Sequence, residues 1–251
     1  MSFENKVVIV TGSSSGIGAS TAIEFAKEGA QVVLVGRNEA KLKNVLEQCE
    51  KVGKKPLVVK ADVSNDDDAR IIINKTIEHF EKLDVLVNNA GTDEEHDILK
   101  DDFMESHDRI MNINLRAPVY ITHLAIPYLI KSKGNIINVA SVVGIVTGGF
   151  EDSTSYCISK AGISHFSRSV ALKLAPYGIR VNIVSPGPVY TDILNHSSQK
   201  DVMYEQFKLA TALKRVSEPK EIADLILFLA SDKAKGITGS NFVADNGILV
   251  K

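Results

Sequence analysis

The sequence predicts an α/β chain of 251 residues built on one doubly wound parallel sheet of about seven strands, with helices on both faces. Short β-branched runs at 6–10, 31–35, 56–61, 84–87, 134–139, 179–184 and 240–244 alternate with amphipathic stretches at 17–29, 39–52, 66–82, 101–132, 154–175 and 218–231. The runs are continuously apolar, as strands buried on both faces are, and helical stretches between them supply parallel crossovers. No composition shift, Pro/Ser-rich linker or low-complexity segment divides the chain, so residues 1–251 read as a single domain. Ligands of such sheets bind beyond the C-terminal ends of the strands, at the switch in strand order, so the residues just after each run matter most.

The first run, KVVIV, passes through TGSSSGIG into a helix whose apolar face is Ile17, Ala22, Ile23, Phe25 and Ala26 and which Gly29 closes. A strand, a small-residue turn and a helix N-terminus bring backbone N–H groups up to a phosphate. The glycines run G-x-x-x-G-x-G, not the dinucleotide G-x-G-x-x-G, and no lysine is present for a Walker loop. Gly12-Ser13-Ser14-Ser15-Gly16 also fits G-x-S-x-G, the nucleophile elbow of serine hydrolases, with Ser14 as nucleophile. Against the elbow, no earlier strand precedes it to supply an oxyanion-hole loop.

The second run ends in Gly36-Arg37-Asn38. An NAD site usually places an acid here to hold the ribose hydroxyls, whereas an arginine accommodates a 2′-phosphate through two donors. Asp62-Val63, after the third run, either meets an adenine edge or, through Asp62, caps the helix starting in the Ser64–Asp68 stretch. After the fourth run, the small residues of Asn88-Asn89-Ala90-Gly91 permit close backbone approach to a ligand, while buried asparagines so near a sheet need partners of their own. Asn114, in MNINL within the long stretch 101–132, is a poor helix former, best tolerated where its amide does a specific job. Ser141 ends the fifth run and emerges at the C-terminal edge of the sheet.

Tyr156 and Lys160 stand four apart in a helical period and share a face. An ammonium one turn from a phenol favours phenolate, lowering a reference pKa of about 10 toward the working range. That makes Tyr156 a general acid or base and Lys160 its tuner.

Composition excludes several classes. A net charge of −2 and a pI near 6.3 give no reason to expect a nucleic-acid or anionic-membrane surface. No apolar run approaches the roughly eighteen residues of a membrane helix, and no apolar leader precedes the first strand, so a cytoplasmic protein without membrane insertion is expected. Cys49 and Cys157 form no C-x-x-C pair and read as ordinary reduced thiols. The histidines show no H-x-x-x-H or H-E-x-x-H spacing, so no metal site is expected.

TGSSSGIG, NNAG, the asparagine of NINL, Ser141 and YCISK, in this order between Lys6 and Gly247, resemble the short-chain dehydrogenase/reductase family. The resemblance implies a Rossmann-like fold and a catalytic tetrad of Asn114, Ser141, Tyr156 and Lys160. It places Gly12, Gly16, Ile17 and Gly18 along a pyrophosphate, with Ser14 and Ser15 in the same turn. Arg37 and Asn38 would stand by the 2′-phosphate, Asp62 and Val63 at the adenine, and Asn89, Ala90 and Gly91 on the ribose side. Pro186, Gly187, Val189 and Thr191 of the P-G-x-x-x-T stretch would meet the nicotinamide, and Tyr156 and Lys160 would border the cofactor, Lys160 on its ribose. The implied reaction is hydride transfer between nicotinamide C4 and a carbonyl carbon, with Tyr156 giving its proton, Ser141 holding the oxygen and Asn114 holding a water. NADP(H) is the preferred cofactor through Arg37, and NAD(H) remains open because Ser15 stands where the family's other common basic residue would be. The alternatives are an NAD(H)-preferring alcohol dehydrogenase, a non-catalytic NADP(H)-binding regulator and the Ser14 hydrolase.

The chain departs from the family pattern at three places. Ser141 and Tyr156 stand further apart than in many members, so the intervening loop, with Gly148, Gly149 and Phe150, is expected to shape or cover the pocket. The stretch TDEEHDILK at 92–100 is acidic, which disfavours an anionic substrate at that rim. The last strand ends in Asp245-Asn246-Gly247 where D-G-G is common. The stretch 191–215, with Ile193, Leu194, Met203, Phe207, Leu209 and Leu213, resembles the substrate lid (about 190–215), and its apolar residues point to a hydrophobic small-molecule carbonyl or alcohol of steroid, isoprenoid, retinoid or ketoacyl type. A homodimer or homotetramer is expected from the resemblance alone.

Overall fold

Seven parallel strands pair in the order β3-β2-β1-β4-β5-β6-β7: β1 (Val7–Thr11), β2 (Gln31–Gly36), β3 (Leu57–Lys60), β4 (Val85–Asn88), β5 (Asn135–Val139), β6 (Arg180–Pro186) and β7 (Asn241–Ala244). The structure is a computed structural model that describes residues 3–94, 97–146, 153–194 and 199–251. Strand order reverses between β1 and β4, where β1 runs in register with β2 on one side (Val10 opposite Leu34) and with β4 on the other (Val10 opposite Val87). The expected parallel, doubly wound sheet is therefore present.

Alternate side chains of each strand feed two cores. Val8 and Val10 of β1 pack with Val32 and Leu34 against α1 (Gly16–Lys27), α2 (Glu39–Glu50) and α8 (Pro219–Ala230) through Phe25, Leu42 and Ile226. Val7 and Ile9 turn the other way, toward α3 (Asp66–Phe80), α5 (Ala117–Ser132) and α6 (Thr154–Leu174) through Ile72, Ile121 and Leu174. Both sets are almost fully buried. At about 1.5–3 kcal/mol for each fully buried aliphatic side chain, this continuous apolar stock explains the lack of polar alternation in the central strands.

Two elements differ from the sequence expectation. The helix anticipated over 101–132 is α4 (Phe103–Met111) followed by a π turn, Asn112–Arg116, and then α5. The N–H of Ala117 bonds the carbonyl of Asn112, a five-residue step that no hydrophobic period announces. Within the expected lid, residues Lys200–Ala210 form α7. Among the described residues no helix is long and apolar enough to cross a membrane.

Candidate active site

A cavity of about 810 Å³ opens along the C-terminal edge of the sheet, across the β1–β4 switch. Its first half is walled by backbone. Gly12, Ser14, Ser15, Gly16 and Ile17 line it where β1 turns into α1. Ser15, the N-cap of α1, makes no side-chain cap bond, so the first-turn N–H groups face a cavity and not a capping oxygen. Gly16 has φ +54° and lies against Thr191, where a Cβ would stand 3.0 Å from the threonine methyl. Gly18 does not line the cavity: a Cβ there would lie 2.3 Å from the Gly12 carbonyl oxygen and 2.4 Å from Asn89 Nδ2. Its role is to let the helix close onto the turn.

Residues after β4 brace that turn. Asn89 Nδ2 donates to the carbonyls of Thr11 (2.9 Å) and Gly12 (3.3 Å), while the N–H groups of Asn89 and Ala90 donate to Thr11 Oγ1. Asn88 is buried and donates to Asn138 Oδ1 (2.8 Å), and Asn138 in turn donates to Ser167 Oγ (2.7 Å), joining β4, β5 and α6. The asparagines thus hold the scaffold, and Asn89, Ala90 and Gly91 also line the cavity.

Arg37 lies on the cavity wall with about 70% of its side chain exposed and one guanidinium nitrogen 3.4 Å from an Asp62 carboxylate oxygen. Asp62 and Val63 also line the wall. Burial opposes ionisation of Asp62, but hydrogen bonds from the Ser64 hydroxyl and N–H together with the Arg37 charge hold its carboxyl below the usual value. Asn65, not Asp62, caps α3, accepting from the N–H groups of Asp67 and Asp68. The Asn38 side chain accepts from Lys41 N–H and caps α2, and it is not among the residues that line the cavity.

The second half of the cavity is built from side chains. Ser141, at the end of β5, Tyr156 and Lys160, on α6, line it together. Lys160 Nζ lies 5.4 Å from the Tyr156 ring centroid and donates to the Val139 carbonyl at 3.0 Å. Gly144 lets the turn after Ser141 press onto α6, since a Cβ would stand 2.6 Å from the Lys160 carbonyl carbon. Asn114 sits in the π turn, buried and off the cavity wall, donating to the Thr92 carbonyl (2.8 Å) and Ser159 Oγ (3.1 Å) and accepting from Thr92 N–H (2.9 Å). A Cβ on Gly91 would lie 3.4 Å from both Asn114 Oδ1 and Lys160 Nζ, so these two side chains meet beside Gly91.

The expectation that Lys160 draws the Tyr156 phenol downward is overturned. Burial, then the Asp93 carboxylate, push the phenol well above its ordinary value, and a hydrogen bond with Ser141 opposes them only in part. Burial lowers the Lys160 ammonium to about 8, with Asp93 acting the other way. Desolvation outweighs the charge arrangement that helical spacing displays.

Pro186, Gly187, Val189 and Thr191 follow β6 along the wall. Their loop is held by Tyr204 of α7, whose buried hydroxyl accepts from Thr191 N–H (3.1 Å) and lies 3.1 Å from the Thr191 carbonyl. Sequence reading passed over Tyr204, whose partners are backbone atoms that no spacing rule identifies. Ile193, Phe207, Val142 and Val143 line the same end, as do Asp93 and Glu94. Gly148, Gly149 and Phe150 lie outside the described residues, as does the side chain of Leu194. Asn246, in place of a glycine, has φ +53°; its side chain accepts from Arg215 (2.6 Å) and donates to Ser217 (2.8 Å), anchoring the segment that follows α7. Ser14 has no base for the elbow chemistry, because among the described residues no histidine lines the cavity.

Comparison with known proteins agrees with this geometry. A family model described as enoyl-(acyl carrier protein) reductase matches residues 12–249. The chain is 34% identical to 3-oxoacyl-[acyl-carrier-protein] reductase FabG of Thermotoga maritima over the full length of both. It is also 34% identical to meso-2,3-butanediol dehydrogenase of Serratia marcescens, covering 98% of this chain and 96% of that one. Among solved structures, a short-chain dehydrogenase/reductase of unknown function from Caenorhabditis elegans, determined with cofactor, superposes with a TM-score of 0.92 at 38% identity, over 99% of this chain and 96% of the other.

Proposed function

We propose, for a chain that belongs to the short-chain dehydrogenase/reductase family, that it is an NADP(H)-dependent oxidoreductase reducing a carbonyl compound with a largely apolar body. Membership makes it an oxidoreductase acting on C=O or CH–OH with a nicotinamide cofactor. The observation that carries the finer reading is that a single cavity has Arg37 at one end and Ser141, Tyr156 and Lys160 at the other. The donor set fits the cofactor: uncapped N–H groups at α1 for a pyrophosphate, and an exposed guanidinium at the end of β2 for a 2′-phosphate.

When bound, NADP(H) supplies or accepts a hydride. The chain's residues then manage the oxygen. Tyr156, held protonated by burial, gives its proton to the developing alkoxide, and Ser141 donates a hydrogen bond to the same oxygen. Lys160 holds the ribose and steadies the phenol, and Asn114 fixes Thr92 and Ser159 behind the lysine. Val142, Val143, Ile193 and Phe207 exclude water around the substrate body.

The test is oxidation of NADPH and NADH, followed at their common absorbance band, on a panel of steroid, quinone, retinal and ketoacyl thioester. Selectivity for NADPH that Arg37→Ala abolishes supports the cofactor assignment; equal use of NADH overturns it in favour of an NAD(H)-preferring alcohol dehydrogenase. Cofactor binding with no turnover on the panel would favour a non-catalytic regulator. Assembly as a homodimer or homotetramer is part of this reading, supported by Ile158 and Leu172, which α6 leaves exposed, and light scattering tests it.

A further inference from the structure

Ser141 and Tyr156 both stand where regular structure holds least. The sheet ladder reaches Ala140, whose N–H donates to the Val184 carbonyl, and Ser141 lies just beyond it. Tyr156 is in the first turn of α6, which begins at Thr154 with no side-chain cap bond from Ser153. Their neighbours in sequence, Val142, Val143 and Cys157, are buried together in a small apolar cluster apart from the two large cores. The Val143 N–H donates to Ser141 Oγ at 3.4 Å, and Tyr156 packs on the cluster. Ile248 and Leu249, from the segment after β7, cover the same cluster without lining the cavity. One carboxylate fixes the turn that presents them: Asp245 accepts from the Gly247 N–H through Oδ1 (2.8 Å) and from the Leu249 N–H through Oδ2 (3.0 Å). Gly247, with φ +78°, lets that turn sit on Ala212, because a Cβ would stand 2.8 Å from the alanine methyl.

We propose that Ile248 and Leu249 are positioning residues for the reaction: through the cluster beneath them they hold the Ser141 hydroxyl and the Tyr156 phenol on one carbonyl oxygen. The proposal rests on the oxidoreductase reading given above. Two physical facts support it. Packed apolar side chains transmit the loss of a neighbour as a shift, since the surroundings relax only partly into the space left behind. A site that must hold two donors on one oxygen depends on the shell that locks them, and a displacement of about 1 Å made far from the chemistry can cost about a hundredfold in rate. Here the end of a strand and the first turn of a helix leave that locking to side-chain packing.

The experiment measures kcat and the NADPH Kd on the carbonyl of the panel that wild-type enzyme reduces fastest, with active sites counted by NADPH titration so that unfolded protein is left out of the rate. The Ile248→Ala/Leu249→Ala double variant is expected to lose about fivefold or more in kcat per site, with NADPH Kd within about twofold of wild type. Ile248→Val and Leu249→Met, which keep most of the apolar volume, should stay within about twofold of the wild-type kcat. In a Tyr156→Phe background the alanine pair should cost much less, because residues that act as one unit are not additive. Asp245→Ala frees the Gly247 and Leu249 N–H groups while leaving both apolar side chains in place, and it should lower kcat per site in the same way. It carries the test where the double variant does not fold. A smaller loss of kcat per site overturns the proposal, as does a loss just as large in the Tyr156→Phe background; both outcomes leave the reductase reading standing. A wild-type enzyme that binds NADPH but reduces no carbonyl removes the reductase reading, and the proposal falls with it.

Discussion

The half of the cavity proposed for the cofactor and the half proposed for the substrate share one sheet edge but are made of different material. The first is mainly backbone: a helix N-terminus and glycines that clear a path, braced by Asn89, whose side chain ties the end of β1 to the segment after β4. The second is side chains: Ser141, Tyr156, Lys160, Asp93, Ile193 and Phe207. A wall of N–H groups recognises a phosphate in any relative of this fold, whereas a wall of side chains can be exchanged residue by residue. The comparison accounts for relatives named for substrates as different as a 3-oxoacyl carrier protein and meso-2,3-butanediol at similar identity.

Substitutions can break this division, beginning with the largest effect. Tyr156→Phe is expected to lower kcat by about 10²–10⁴-fold, the usual worth of a positioned acid, while NADPH affinity measured by fluorescence titration stays within a few-fold. Loss of cofactor binding in that variant would show that the halves are not separable. Lys160→Met removes activity and acts oppositely on stability. The lysine titrates at about 8 when folded against 10.5 as a reference, so the unfolded chain binds more protons between those values and wild-type stability rises with pH across that window. Below it the methionine variant should be more stable by about 1–3 kcal/mol in urea unfolding, less the lost Val139 bond, and the difference should fade above it. Arg37→Ala should raise KM for NADPH by about 10–100-fold and leave KM for NADH nearly unchanged.

Smaller effects test what each half is made of. Gly18→Ala places a methyl against the Gly12 carbonyl and Asn89, and should cost about 1–3 kcal/mol in thermal or urea unfolding with weakened binding of both cofactors. Equal destabilisation without weakened binding would assign Gly18 to packing alone. Tyr204→Phe leaves the Thr191 N–H without its partner, at about 1 kcal/mol, and should lower Tm by about 2–4 °C and raise substrate KM more than cofactor KM.

Legibility in the sequence follows the same division. The glycine turn, Asn89 and Arg37 were readable because turn chemistry and strand ends are local, and Gly16, Asn89 and Arg37 do stand on one wall. The capping role of Asn38 was not read because an Asn after a strand serves a ligand and the next helix equally well. Tyr204 escaped because it acts on a loop through backbone atoms. The sign of the Tyr156 shift escaped because i, i+4 spacing displays a neighbouring charge but not burial. Asn246 became intelligible only once its positive φ and its bonds to Arg215 and Ser217 were visible.

The π turn at Asn112–Arg116 has a genetic consequence. A π turn holds one residue more than the α-helical path it replaces, so a one-codon deletion there would be absorbed by conversion to plain α-helix. The reading frame of the fold would survive, with α4 and α5 both keeping the faces they present to the rest of the molecule. Asn114 would lose its register with Thr92 and Ser159. Such a deletion is expected to yield a well-folded, inactive protein, whereas a one-codon deletion inside β1 would shift Val7–Thr11 against both neighbouring strands and forfeit folding altogether.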